Sequence, residues 1–449
     1  QQGAQAHPQL LAEFGGAMSG PQADYVVSVG KNVAVQSGLG NARDDFRVTL
    51  LNSSVNNAFA IPGGYVYVTR QLVALMNNEA ELAAVLGHEV GHVAARHSAL
   101  RQQASQQNAL LGVLGQVLSG VIFGDSSLGR LGQQISSTVP QLATLRYSRG
   151  QEIEADDLGI RYLNGAGYDP RAMSTLLASL AAQNSLDAQL KGQQNAGAPE
   201  WASTHPDPAA RVQSALQKAG SGTGATNRDT FLTRVNGITY GDDPKQGVIE
   251  GNQFIHPEFR LSFNAPNGYY MVNGASAVSI NGQTGQATMS SASYSGNLDT
   301  YVRTVFQGLS QQQAVTPQSL QRTTVNGLPV VYGSARVTSG QSQVDVVVYA
   351  YEFANNRAFH FTAIAPAGQG NVFNSMFSSM RRITTQEAAA VTPRRIEVAT
   401  VRNGDTVASL ANRMAYTDNR ELRFRVLNGL ASGQGLTAGQ KVKIVVRGS

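Results

Sequence analysis

His88-Glu89-Val90-Gly91-His92 sets two imidazoles four residues apart, with a carboxylate between them. On a helix that spacing stacks His88 and His92 one turn apart on one face. Two imidazoles so placed can hold one Zn²⁺ at adjacent tetrahedral positions. Glu89 lies about 100° round the helix from His88, so it flanks the ion without ligating it. From there it can take a proton from water activated by the metal, which is the chemistry of peptide-bond hydrolysis. The flanking residues supply the helix. Asn78 is placed as N-cap with Glu81 three positions on, and residues 82–100 continue with apolar periodicity.

A tetrahedral zinc site needs a further protein ligand. The chain has no cysteine, so disulfides, thiol catalysis and thiolate sites are excluded and the ligand is His or a carboxylate. His97 falls nine residues past His88, about 180° round the same helix, and reads as a surface or packing residue. Glu81 is near the right face but about 10 Å away by helical rise, and its capping role accounts for it. The next acids are Glu152-Ile153-Glu154-Ala155-Asp156-Asp157, on a second helix over 150–164. Glu152 and Asp156 share a face there. Glu152 can serve as ligand with Asp156 accepting a ligand histidine's ring N–H, or both can be solvated helix acids; spacing alone leaves the two readings level.

Upstream, Pro62-Gly63-Gly64 forms a turn before the β-type run Tyr65-Val66-Tyr67-Val68-Thr69. If that strand is an edge beside the metal, a substrate peptide can pair along Tyr65 and Val66, with Gly63 and Gly64 allowing close approach. A purely structural hairpin fits the same residues.

These motifs, together with Asn78-Glu79-Ala80-Glu81-Leu82-Ala83 and Glu152-x-x-Ala155-Asp156, resemble the M48 family of metallopeptidases over roughly residues 20–215. The resemblance implies a zincin-type, mainly α-helical catalytic domain with a short hairpin, and one zinc per chain. It implies Glu152 as third ligand. It also brings in Thr204-His205-Pro206 with Arg211, where His205 would stabilise the oxyanion or occupy the fourth zinc position at rest. A plain reading of His205 is a cap for a helix starting near Asp207. Quality control or turnover of envelope proteins follows from the resemblance alone.

At 449 residues the chain is too long for one core. The expected plan is α+β and multidomain: a peptidase domain over 1–219, a Gly/Ser linker over 220–251, an α+β domain of unknown role over 252–385, a second linker over 386–394 and a small module over 395–449. In the middle domain Phe259–Tyr269 resembles the opening of PsbP-like folds. Val401-Arg402-Asn403-Gly404-Asp405-Thr406, Asn428-Gly429-Leu430 and Leu436-Thr437-Ala438-Gly439-Gln440 resemble a LysM module of βααβ order. That implies binding of N-acetylglucosamine glycans such as peptidoglycan.

The formal charge is +5, without the aromatic–basic interleaving of nucleic-acid sites, so no nucleic-acid partner is expected. No run of 18 apolar residues crosses a bilayer. The absent initial methionine fits removal of a signal peptide, and with the sparse charge it suggests a periplasmic or otherwise exported protein. Residues 110–123 form a glycine-punctuated apolar stretch, readable as core, as a lid over the metal, or as a membrane or partner contact. Two alternatives to an endopeptidase acting on polypeptides stand: a binding or chaperone-like protein on the same scaffold, and a hydrolase of cell-wall peptides.

Overall fold

A computed structural model describes residues 2–97, 146–191, 201–309, 315–339 and 342–448. The apolar stretch 110–123 lies outside these residues. The described residues form two compact units. One combines those up to Gly241 with those from Pro393 onward; the other spans Asp242–Thr392. The architecture is mixed α/β, and no helix among the described residues is long and apolar enough to cross a membrane.

In the first unit α1 (Gln2–Glu13) precedes α2 (Pro21–Val35), which starts on a proline at its first turn and buries Val26, Val29 and Val33. A single turn, α3 (Ala42–Asp45), leads into a three-stranded sheet of β1 (Arg47–Leu51), β2 (Ala58–Ile61) and β3 (Tyr65–Thr69). β3 is the middle strand, parallel to β1 and antiparallel to β2. The β2–β3 turn holds Gly63 and Gly64 at φ 102° and 82°, a region open to glycine.

After α4 (Arg70–Leu75) comes α5 (Glu79–Ala94), the buried axis of the unit. Asn78 caps it, accepting from Glu81 N at 2.8 Å. Glu79 in its first turn accepts from Tyr25 Oη, Tyr168 Oη and Asn227 Nδ2 at 2.6, 2.7 and 2.8 Å. Three distant stretches of chain are thereby tied to the helix start.

α6 (Arg149–Gly165) is capped by Ser148 and Gln151 in a reciprocal box. It packs closely on α5. A Cβ at Gly159 would lie 3.2 Å from His88 N, and one at Gly91 3.1 Å from Ala155 O. Glycine at these points lets the two backbones meet. α7 (Ala172–Lys191), α8 (Trp201–Thr204) and α9 (Pro208–Ala219) follow. Residues 220–251, read as a linker from their composition, are folded: α10 (Arg228–Val235) buries Phe231, Leu232 and Val235, and β4 (Thr239–Tyr240) joins a sheet.

The middle unit carries β5 (Val248–Glu250), β6 (Gln253–His256), β7 (Leu261–Asn264), β8 (Tyr270–Asn273), β9 (Ala277–Asn281), β10 (Gln286–Ser291), α11 (Leu298–Gln307), β11 (Gln321–Val325), β12 (Leu328–Ser339), β13 (Ser342–Ala354), β14 (Arg357–Pro366), α12 (Asn374–Ser379) and β15 (Arg381–Arg382). Seven strands form an antiparallel sheet in the order β11-β12-β13-β14-β10-β9-β8. Tyr301, Val302 and Phe306 of α11 pack with Val346, Val348 and Ala350 on one side of it, and Met376 and Phe377 of α12 with Phe361 and Ala363 on the other.

His360 of β14 is buried in this unit, with its Nδ1 2.6 Å from Tyr301 Oη. Burial lowers its pKa to about 4 from 6.5. The unfolded state therefore binds more protons between those values, and stability falls as pH drops through that window. The loss reaches about 3 kcal/mol below pH 4. Thermal unfolding of wild type and His360→Gln between pH 7 and pH 4 should show a shallower decline for the middle unit of the variant. His256, lowered to about 4 by burial and Arg357, keeps part of the slope.

α13 (Thr385–Ala389) falls where a second linker was expected. The chain then returns to the first unit with β16 (Arg394–Thr400), α14 (Val407–Ala411), α15 (Arg420–Leu427) and β17 (Lys441–Arg447). β16 pairs with β17 on one side and with β4 on the other. Ile396, Leu410, Phe424, Val442 and Ile444 belong to the same apolar core as Val85 and Leu86 of α5. Two segments expected as separate modules thus share one interior.

Candidate metal centre

The α5 helix turns His88, Glu89 and His92 into the interior, α6 brings Glu152 and Asp156 against them, and His205 follows α8. His88, Glu89, His92, Glu152 and His205 are all 0% exposed. One ligand atom from each of His88, His92, Glu152 and His205 falls within 4.8 Å of the others. His88 Nε2 lies 3.0 Å from His92 Nε2, 3.2 Å from His205 Nδ1 and 3.2 Å from Glu152 Oε2. Glu152 Oε1 lies 2.9 Å from His92 Nε2 and 2.8 Å from His205 Nδ1.

These separations test whether a metal fits. Zinc bonds of about 2.0–2.1 Å in a tetrahedron set ligand atoms about 3.3 Å apart, close to the spacing seen. Glu89 Oε2 is also buried without a hydrogen-bond partner. Such atoms are costly unless something satisfies them. Imidazole and carboxylate donors are the set zinc takes. The residues fit the ion.

The surrounding groups fix the ring orientations. His88 Nδ1 lies 2.8 Å from Asp156 Oδ1. Arg211 of α9 donates from Nε to Asp156 Oδ2 at 2.7 Å and from Nη2 to Oδ1 at 2.8 Å, a bidentate pair. Its Nη1 also lies 2.9 Å from Glu152 Oε2. Burial alone would lower all three imidazole pKa values. At His88 the Glu152 and Asp156 carboxylates outweigh burial and raise the value to about 9; Glu152 and Glu89 likewise raise His205. At His92 burial wins and the pKa falls well below its usual value. Burial would raise Glu152, but His205 and His88 hold it far below the ordinary carboxylate range.

Of the residues singled out in the sequence, His88, Glu89, His92, Glu152, Asp156 and His205 come together here. Gly63, Gly64, Tyr65 and Val66 do not present a free strand edge. Tyr65 pairs with Arg47 on one side and Ile61 on the other, and Val66 with Val48 and Ala60. A peptide cannot add to a strand whose two edges are already paired.

His97 also departs from expectation. α5 ends at Ala94, and Arg96 adopts a left-handed φ of 60°. The chain thereby reverses, bringing His97 Nδ1 to 2.9 Å from His92 Nδ1, while its Nε2 meets Glu154 Oε2 at 2.8 Å. The helical periodicity that would turn His97 away from the site stops at Ala94.

Two aromatics escaped the sequence reading. Tyr147 stacks on His92 with ring centroids 3.6 Å apart. Trp201 stacks on His205 at 4.4 Å, and its Nε1–H donates to Glu89 Oε1 at 3.2 Å. Trp201 is the sole tryptophan of the chain, four residues before His205, and that was its one available signal.

Residues 21–219 match the model of peptidase family M48, and residues 399–445 match the LysM domain. The chain is 32% identical over 198 residues to the beta-barrel assembly-enhancing protease of Yersinia pestis, covering 43% of this chain and 38% of that protein. It is 31% identical to the protein of the same name from Escherichia coli K12, with the same coverage. A mitochondrial metalloendopeptidase, OMA1, of Schizosaccharomyces pombe is 29% identical over 46% of this chain and 57% of its own length. The chain thus spans about two fifths of the assembly-enhancing proteases it matches. The solution structure of cyanobacterial PsbP from Synechocystis overlaps 29% of this chain and 91% of that one at 11% identity, with a TM-score of 0.24, too low to assign the middle unit's fold. The four buried ligand residues thus fall within the segment that matches peptidase family M48, and the LysM match lies C-terminal to it.

Proposed function

We propose that the chain is a zinc-dependent endopeptidase of zincin type, with His88, His92 and Glu152 as protein ligands and Glu89 as general base. The observation that carries this is the convergence of four buried ligand atoms beside a buried carboxylate. Bound there, zinc would polarise the scissile carbonyl and bring the pKa of a coordinated water towards ~7. Glu89 accepts the proton of the attacking water and passes it to the departing amine. Asp156, held by Arg211, accepts from His88 Nδ1–H and so keeps Nε2 aimed at the ion.

His205 fills the remaining position in this arrangement and closes the site with Trp201. Substrate entry requires the 201–206 segment to move aside. For that reason His205→Ala should raise turnover.

Unfolded polypeptides are the substrate class we favour, and the assembly-enhancing proteases among the relatives support a role on envelope proteins. The LysM domain supports contact with peptidoglycan and an exported, periplasmic setting; it also favours the second reading, hydrolysis of cell-wall peptides. Casein and purified peptidoglycan sacculi separate the two. Casein cleavage that phenanthroline abolishes and zinc restores, with sacculi left intact, is the expected result. Cleavage of sacculi alone selects the second reading. A zinc-loaded chain in which wild type and His205→Ala cleave neither leaves a binding protein.

A further inference from the structure

Lys443 lies on β17 and is 0% exposed. A lysine so placed needs acceptors for its ammonium. It finds them outside its own domain: Nζ donates to Ala74 O at 2.8 Å and to Met76 O at 2.6 Å. Ala74 lies in the last turn of α4, whose carbonyls have no intrahelical donors left and whose partial negative charge favours a cation, and Met76 is the extended residue that caps it.

The next residues are held as well. Arg228 of α10 bridges the two segments, donating from Nη1 to Asn77 O at 3.3 Å and from Nη2 to Lys441 O at 2.6 Å. Asn77 N donates to Glu81 Oε1 at 2.8 Å. Lys443 is fixed in turn by the Asn428 side chain, which accepts from Lys443 N at 2.7 Å and donates to Lys443 O at 2.9 Å. Residues 76–78 are the whole connection between α4 and α5, and Asn78 caps the helix that carries His88, Glu89 and His92.

We propose that Lys443 is a positioning residue for the metal centre, and that the C-terminal LysM segment acts as a clamp on the start of the metal-binding helix rather than as a detachable tether. The proposal rests on the zinc-peptidase reading above. Loosening the clamp lets the end of α4, the 76–78 connection and the first turns of α5 fray, and the imidazoles then meet the ion with a less uniform geometry.

The test uses the full chain with Lys443→Met, which keeps the length of the side chain and removes its donors. A control, Val445→Ala on the same strand, empties part of the core and leaves the Lys443 ammonium and its two carbonyl acceptors in place. Three quantities are read at a temperature where each variant is folded: amide hydrogen exchange of residues 76–86 in the metal-free protein, zinc affinity by competition with a chromophoric chelator, and the visible spectrum of the cobalt-substituted protein.

Faster exchange in that segment, zinc affinity down about tenfold and a shifted cobalt band in Lys443→Met, all absent from Val445→Ala, are expected. Equal changes in both variants, or none in Lys443→Met, overturn the proposal and leave Lys443 a stability residue. If Lys443→Met does not fold, Arg228→Gln, which releases Asn77 O, is judged by the same criteria. Wild type that binds no zinc refutes the zinc-peptidase reading instead. The exchange comparison in metal-free protein still decides whether the clamp exists.

Discussion

Glu89→Gln should cost at least about 1,000-fold in kcat/KM on casein, the scale of a positioned general base, while the protein keeps one zinc per chain. Glu89 is absent from the four residues whose ligand atoms converge. The substitution therefore leaves the ion's donors in place and removes only the proton acceptor. It is nearly isosteric, and the amide oxygen can still accept from Trp201 Nε1–H, so the buried surroundings persist. Metal content by mass spectrometry and peptide-bond hydrolysis are to be measured on one preparation. A variant that retains more than a tenth of wild-type activity would remove Glu89 from the chemistry, and loss of zinc along with activity would mean it helps hold the metal.

Glu152→Ala should have the opposite signature, with metal lost first and activity as a consequence. Structural zinc is worth roughly 10–16 kcal/mol shared among about four ligands, so deleting one should weaken binding by on the order of 100- to 1,000-fold. Glu152 also faces His88, His92, His205 and Arg211 within 3.2 Å. Without its charge the buried His88, His205 and Arg211 each lose a counter-charge, and removing one side of such a network costs about 3–5 kcal/mol. The metal-free variant should accordingly melt below the metal-free wild type. Asp156 keeps Arg211 engaged through two bonds, so the domain should still fold. Chelator competition gives the affinity and calorimetry the melting point; unchanged zinc affinity would exclude Glu152 as a ligand.

Much of this site could be read before the fold was known, because its parts obey helical periodicity. His88 and His92 had to share a face, and Glu152 and Asp156 had to share another. Pairing the two faces is a tertiary fact, and only the family resemblance supplied it. The errors came where periodicity stops. His97 follows a helix that ends three residues earlier, and a left-handed Arg96 turns it back to His92. Tyr65–Thr69 reads as a strand, but edge or centre depends on β1, a parallel partner whose pairing leaves no local trace. Phe231 and Leu232 sit beyond a Gly/Ser run that looks like a linker, yet they are core. Lys443 stands in a β-type run, and its burial depends on two carbonyls more than 360 positions away.

The order of the chain gives the pairing of β4 with β16 a consequence in time. Tyr240 pairs with Arg394, so residues 242–392 are an insertion between two neighbouring strands. A ribosome delivers the histidines and both glutamates of the metal centre early, and the strand bearing Lys443 only after the whole insertion. Until then the interior shared by Val85, Leu86, Val442 and Ile444 lacks its last wall. A nascent chain would therefore carry the complete set of candidate ligands without the finished scaffold, and the proposed activity would wait until the strand bearing Lys443 has emerged.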